Sequence, residues 1–181
     1  MHALRRDGGT AGLRKTAVSG RCRLITLLLC FIVFSVFAPL FARVGLAFMP
    51  SPRERCPVCG MFVAQFARWN ATIEFADAKR VIFDGNKCMF KYYLEIKKYD
   101  PAKSKADLAA ITVKDYFSQD SVAAEQAFYV IWSNVYGPMG HEPLSFAREA
   151  DAKKFLKEHK GLKILRLADI TPQVIFALDN P

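Results

Sequence analysis

The chain has 181 residues, 52% of them hydrophobic and 13% aromatic, enough for one domain or two small ones with a real apolar core. Its 26 lysines and arginines outnumber 17 acids, giving a formal charge of +9 that at first suggests a nucleic-acid partner. The excess sits in the first 43 residues, where Arg5, Arg6, Arg14, Lys15, Arg21, Arg23 and Arg43 face Asp7 alone; beyond them 19 basic and 16 acidic residues are interspersed, which argues against nucleic-acid binding.

Residues 24–42 carry no formal charge over 19 positions and follow six basic residues, the pattern of a signal peptide or a transmembrane signal anchor. The positive flank is expected to stay in the cytoplasm, so that everything after Arg43 is exported. Residues 1–47 are therefore read as a cytoplasmic N-terminus and a hydrophobic helix, either cut after Gly45-Leu46-Ala47 or kept as an inner-membrane anchor. Cys22 and Cys30 read as passenger thiols of this segment, and Leu29 is too large to precede a lipid-attachment cysteine. Residues 48–55, with Pro50, Pro52 and Arg53-Glu54-Arg55, read as a spacer.

In the body, residues 62–66 read as a strand, Ala71–Phe75 as a second with alternating faces, and Arg80–Phe83 as a third. Asp84 stands where a helix N-cap is expected, followed by Met89, Phe90, Tyr93 and Leu94 at helical spacing. The charged stretch 97–105, broken by Asp100-Pro101, is taken as the boundary between a lobe of about 56–100 and one of about 106–178. There, residues 111–117 and 127–132 read as strands joined by a polar turn near Gln119-Asp120-Ser121, and 133–141 as a glycine- and proline-containing loop. A short strand is predicted around Leu144–Phe146, an amphipathic helix over 148–159 ended by Gly161, and a strand over 162–167. Thr171-Pro172 then opens a last helical turn or two. The predicted fold class is α+β: two small related strand-rich lobes, each with a packed helix, behind the N-terminal hydrophobic helix.

The body holds three cysteines, Cys56, Cys59 and Cys88, and an odd number outside the cytoplasm leaves at least one thiol unpaired. Cys56-Pro57-Val58-Cys59-Gly60-Met61 brings three sulfur side chains into six residues. A redox pair would want this motif at a helix N-terminus, whereas the residues around Gly60 look like turn and strand. A zinc knuckle would need a second ligand pair, and only the separate Cys88, His141 and His159 remain. Met61 follows Cys59 by two, so an extended backbone would point both to one face, and Met139 and His141 stand in the same relation across Gly140. Thioethers add little to zinc binding and suit Cu(I), so the two stretches together favour monovalent copper. Met89 reads as core, His159 as a solvated helix-end histidine, and Cys88 either turns toward the cysteine loop or is buried. A thiol-disulfide oxidoreductase using Cys56 and Cys59, and a structural zinc module of Cys56, Cys59, Cys88 and His141, are the rival readings. No serine-histidine-acid set, phosphate loop or pair of catalytic carboxylates stands out, so no enzyme is expected.

Residues 56–64 (Cys-Pro-Val-Cys-Gly-Met-Phe-Val-Ala), 83–93 (Phe-Asp-Gly-Asn-Lys-Cys-Met-Phe-Lys-Tyr-Tyr) and 129–141 (Tyr-Val-Ile-Trp-Ser-Asn-Val-Tyr-Gly-Pro-Met-Gly-His) together resemble the NosL family of nitrous-oxide-reductase accessory proteins. The likeness covers about residues 56–178. It implies a periplasmic Cu(I)-binding metallochaperone without catalytic turnover, with two small related α+β lobes, that takes copper from a donor and supplies nitrous oxide reductase or a related copper enzyme. Carried over by position, the implied metal ligands are Cys59, Met61, Met139 and His141, with Cys56 as a further thiol. Many members are lipoproteins, and this chain departs from them in lacking the attachment box.

Overall fold

The computed structural model describes residues 50–180. The expectations for a cytoplasmic N-terminus, a hydrophobic leader helix and its cleavage fall outside the described residues. The transmembrane expectation is corrected: among the described residues no helix is long and apolar enough to cross a membrane. The longest of them has ten residues, about half of what a bilayer core requires.

The body is α+β. Strands β1 (Ala71–Phe75), β2 (Arg80–Phe83), β3 (Leu108–Lys114) and β4 (Ser121–Ala123) form an antiparallel sheet in the order β2-β1-β3-β4. In β1 the alternation is complete: Ala71, Ile73 and Phe75 are buried, while Thr72 and Glu74 are half-exposed on the other face. Helix α1 (Asn86–Leu94) follows β2 directly and lays Cys88, Met89, Phe90 and Tyr92 into the same core, with the short α2 (Ile96–Tyr99) behind it. The charged stretch 97–105 does not separate sheets, because β3 beyond it returns to pair with β1.

The second sheet has the order β8-β5-β9, from β5 (Phe128–Ile131), β8 (Leu144–Phe146) and β9 (Lys163–Leu165). Helix α3 (Glu149–Glu158) packs on it. Strand β5 is buried on both faces, as its unbroken apolar run Tyr129-Val130-Ile131 requires. Tyr129 and Ile131 join the large core with β1, β3 and α1, whereas Val130 meets Leu144, Phe146, Ala152 and Phe155 in a smaller one under α3. A hairpin of β6 (Tyr136–Gly137) and β7 (Gly140–His141) projects between β5 and β8, and the last helix, α4 (Pro172–Asp179), packs on α1. Thr171 caps α4 through Val174 N–H with Pro172 in the first turn, as the sequence indicated.

Asp115 ties the two sheets: one carboxylate oxygen accepts the Phe117 and Ser118 amides and the other the Ala147 amide, 2.7–2.9 Å away. Ser145 hydroxyl donates to Lys114 O, and Asn86 Nδ2 donates to the same hydroxyl at 2.9 Å, joining the end of β3, the start of α1 and β8. The segment predicted as a strand over 62–66 is instead a 3-10 turn, Val63–Phe66, that buries only Val63.

Candidate metal centre

Residues 56–61 close on themselves. Arg55 and Phe62 form an isolated antiparallel bridge, Cys56 N–H donates to Met61 O and Gly60 N–H to Cys56 O, each at 2.9 Å. Gly60 sits at φ 78°, the left-handed region that a residue with Cβ adopts at a cost, and it lets the chain turn back sharply after Cys59. The Arg55 guanidinium clamps the turn from outside, donating to Gly60 O at 2.8 Å and lying 3.9 Å over the Phe62 ring. Within the turn the amides of Cys59 and Met61 point at the sulfurs of Cys56 and Cys59, respectively. Amide bonds of this kind favour thiolates and fix two sulfurs before any metal arrives. This is a knuckle, and it replaces the extended backbone on which Cys59 and Met61 were expected to share a face.

The first turn of α1 faces the knuckle. Gly85, rather than Asp84, is the residue at the helix N-cap, and no side chain caps the helix there. Asp84 is instead fully buried, with both carboxylate oxygens lacking a hydrogen-bond partner. Ligand atoms of Cys56, Cys59, Asp84 and Cys88 all lie within 4.8 Å of one another. Cys56 and Cys88 are buried and Cys59 is half-exposed at the rim. The neighbouring Cys88 thiol lowers the Cys56 pKa from 9.0 to about 7 against the opposing effect of burial. Burial pushes Cys59 up to about 12, and Cys88 is raised by the neighbouring Cys56 and by burial. Cys56 is therefore the most acidic of the three thiols, and the other two are ones a cation would deprotonate on binding.

The second motif also meets the start of α1, through Lys87. Pro138 and Met139 make the turn of the β6–β7 hairpin, and Gly140 follows at φ 82°, so Met139 and His141 are not neighbours on an extended strand. Met139 packs half-buried against the same core as Cys59. His141 lies between the rings of Trp132 and Tyr136, with centroids 4.7 and 4.8 Å away, and its Nδ1 is buried without a hydrogen-bond partner. Trp132 itself is held at φ 59°, a strained setting for so large a residue, which here accompanies the contact with His141. Glu142 is buried with Oε1 unpaired, and burial raises its pKa to about 7. The unpartnered buried side-chain atoms among the described residues all belong to Asp84, Asn86, His141 and Glu142. Such a concentration marks a site rather than a set of packing defects.

A family model described as NosL matches residues 48–175, more than half of the chain. The chain belongs to the NosL family. Among solved structures, the crystal structure of the copper chaperone NosL from Shewanella denitrificans superposes with a TM-score of 0.60 at 23% identity, covering 71% of this chain and 97% of that one. At that identity the likeness establishes the fold. The solution structure of apo-NosL from Achromobacter cycloclastes also matches, at 25% identity and a TM-score of 0.42, covering 58% of this chain and 87% of that one. No curated protein matches the chain.

Of the residues singled out from the sequence of this NosL-family chain, Cys56 and Cys59 stand in one four-residue group, and Met61, Met139 and His141 stand on the segments flanking it. Sequence reasoning left Cys88 undecided and misassigned Asp84. The spacing of Asp84 and Cys88, four apart across a helix start, was the available signal, since it puts both on one side of the first turn. The zinc reading had looked to His141 for its fourth ligand; the structure groups Asp84 with the three thiols instead.

Proposed function

We propose that this protein is a periplasmic Cu(I) metallochaperone, a binding protein without catalytic turnover whose functional body is residues 56–178. The observation that carries the reading is three free thiols gathered together, one of them, Cys59, half-exposed, in a chain of the NosL family. Cu(I) is the cargo. Cys59, Met61, Met139 and His141 are proposed as its ligands, with Cys56 as the further thiol. A thiolate, two thioethers and an imidazole make a soft set suited to Cu(I) over harder ions. Cys59 at the rim gives an incoming ligand from the acceptor a place to attack, so copper passes by exchange while little is free. The acceptor proposed is nitrous oxide reductase or a related copper enzyme, and a copper donor loads the site.

The thiol-disulfide rival is disfavoured by the order of the two cysteines. A redox motif needs an exposed thiol of low pKa. Here the thiol lowered to about 7 is the buried Cys56, and the accessible Cys59 is raised to about 12. One observation favours a structural zinc site as a second reading: the knuckle cysteines together with Asp84 and Cys88 offer four donors including a hard oxygen.

Anaerobic titration of the reduced protein with Cu(I) and, separately, with Zn(II), against competing chelators, tests both. Tight Cu(I), weak zinc, and at least a tenfold loss of Cu(I) affinity in Met61→Ala or Met139→Ala support the chaperone. Tight zinc with indifferent Cu(I), and unfolding on chelation, would replace it with the structural module.

A further inference from the structure

Lys87 is 2% exposed, and its position next to Cys88 would lead one to expect a surface lysine at the start of a helix. Its ammonium has three hydrogens and three acceptors. It donates to Met139 O at 2.5 Å and to Leu178 O at 3.4 Å, and pairs with Asp179 Oδ1 at 3.1 Å. Asp179 is held in place by its other oxygen, 2.6 Å from Lys91 Nζ. The backbone amide of Lys87 donates to Glu142 Oε2 at 2.7 Å. The hairpin that carries Met139 and His141 is thus attached at both ends, through its turn and through the residue after His141, to the one position that immediately precedes Cys88. Gly85 permits this approach, because a Cβ there would stand 2.8 Å from Glu142 Oε1.

We infer that Lys87 is the positioning residue for Met139: its buried ammonium, seated by the C-terminal end of α4, sets the Met139 turn against the thiol group. The inference rests on the copper reading for its consequence, since Met139 matters there as a ligand. An ammonium suits the task because it satisfies acceptors from two segments far apart in sequence without leaving a hydrogen unpaired. Removing it leaves the Met139 and Leu178 carbonyls and the Asp179 carboxylate short of a donor in a buried place, so the turn is expected to move. Asp179 and α4 thereby become part of the ligand geometry.

The test uses the full chain, reduced and free of oxygen, with Lys87→Met, Asp179→Asn, Met139→Ala and the doubles of the first two with Met139→Ala. Cu(I) affinity is read by chelator competition. Lys87→Met is expected to weaken it roughly tenfold, a coupling of ordinary size for residues in contact, and Asp179→Asn to weaken it less. In the Met139→Ala background neither should weaken it further. Additive losses overturn the inference, since Lys87 would then act otherwise than through Met139. A metal-free readout separates this from failure of the copper reading: with methyl-labelled methionine, Lys87→Met should shift or broaden the Met139 methyl resonance while that of the core residue Met89 stays in place. An unmoved Met139 methyl overturns the inference whatever copper does, and a moved one with Cu(I) affinity indifferent to Met139→Ala would sustain the positioning and remove the ligand. Should Lys87→Met fail to fold, Asp179→Asn carries both measurements, and an unmoved Met139 methyl in it overturns the inference.

Discussion

The thiol of Cys88, buried in the first turn of α1, stands within 4.8 Å of the sulfur of Cys56 in the knuckle loop and lowers its pKa to about 7. That contact brings the start of α1 to the knuckle before metal is present, and it makes Cys56 the most acidic of the three thiols. Cys88→Ala should therefore return the Cys56 ionisation from about 7 to 9.0 or above, because burial then acts with little opposition. The check is the ultraviolet thiolate absorbance of the metal-free protein as a function of pH. A midpoint unchanged near neutrality would assign the charge to another cause.

Asp84 has no hydrogen-bond partner for either oxygen, which is a cost in the metal-free fold that a cation would offset. Asp84→Asn is expected to leave metal-free stability unchanged or to raise it by about 1 kcal/mol, while weakening metal binding. Denaturant melts with and without bound metal read the two effects separately. Lower stability together with unchanged metal affinity would make Asp84 an ordinary structural residue.

Glu142 gives a pH dependence with a definite sign. Its folded pKa, about 7, lies above the ordinary 4.5, so between these values the folded state keeps a proton that the unfolded chain releases. Its contribution is fully present below pH 4.5 and is lost as pH rises through 7. Glu142→Gln removes that loss and still offers Lys87 N–H an acceptor. The variant should match the wild type at the acid end and exceed it above neutrality by on the order of 1–3 kcal/mol. Urea melts of the metal-free protein at several pH values check it, and parallel curves would show that Glu142 does not titrate in this range.

Two glycines of the motifs should respond differently to alanine. Gly60 needs its positive φ but has open space where a Cβ would go, so Gly60→Ala should cost about 1 kcal/mol. At Gly137 the added carbon would collide with the Glu142 side chain and stand 3.0 Å from the Trp69 ring. Gly137→Ala should cost about 2 kcal/mol or more and loosen the hairpin. Comparing the two variants by thermal melting tests the contrast.

Several elements were legible because their signal is local. Strands β1, β2 and β8 have the bounds that the sequence suggested, since period-two alternation or a short run between turn residues leaves little choice. The 62–66 stretch misled for the converse reason: an apolar run reads as a strand, but its one buried residue, Val63, needs no partner strand and the chain turns instead. Strand β4 and the β6–β7 hairpin are two or three residues long, too short for any periodicity.

The sequence by itself determined the knuckle. Two cysteines three apart, followed by a glycine free to take a positive φ, make a loop whose own amides face their sulfurs, and all of this is decided within six residues. Only the tertiary structure decided what meets it. An aspartate before a helix looks the same in sequence whether it caps the helix or faces a thiol group, and Asp84 does the second because α1, packed under the first sheet, points its start at the knuckle. Met139 and His141 reach that same helix start through the Lys87 ammonium and the Glu142 carboxylate, contacts whose partners lie 52 and 55 positions apart in the chain and which exist only once both sheets have closed on one core.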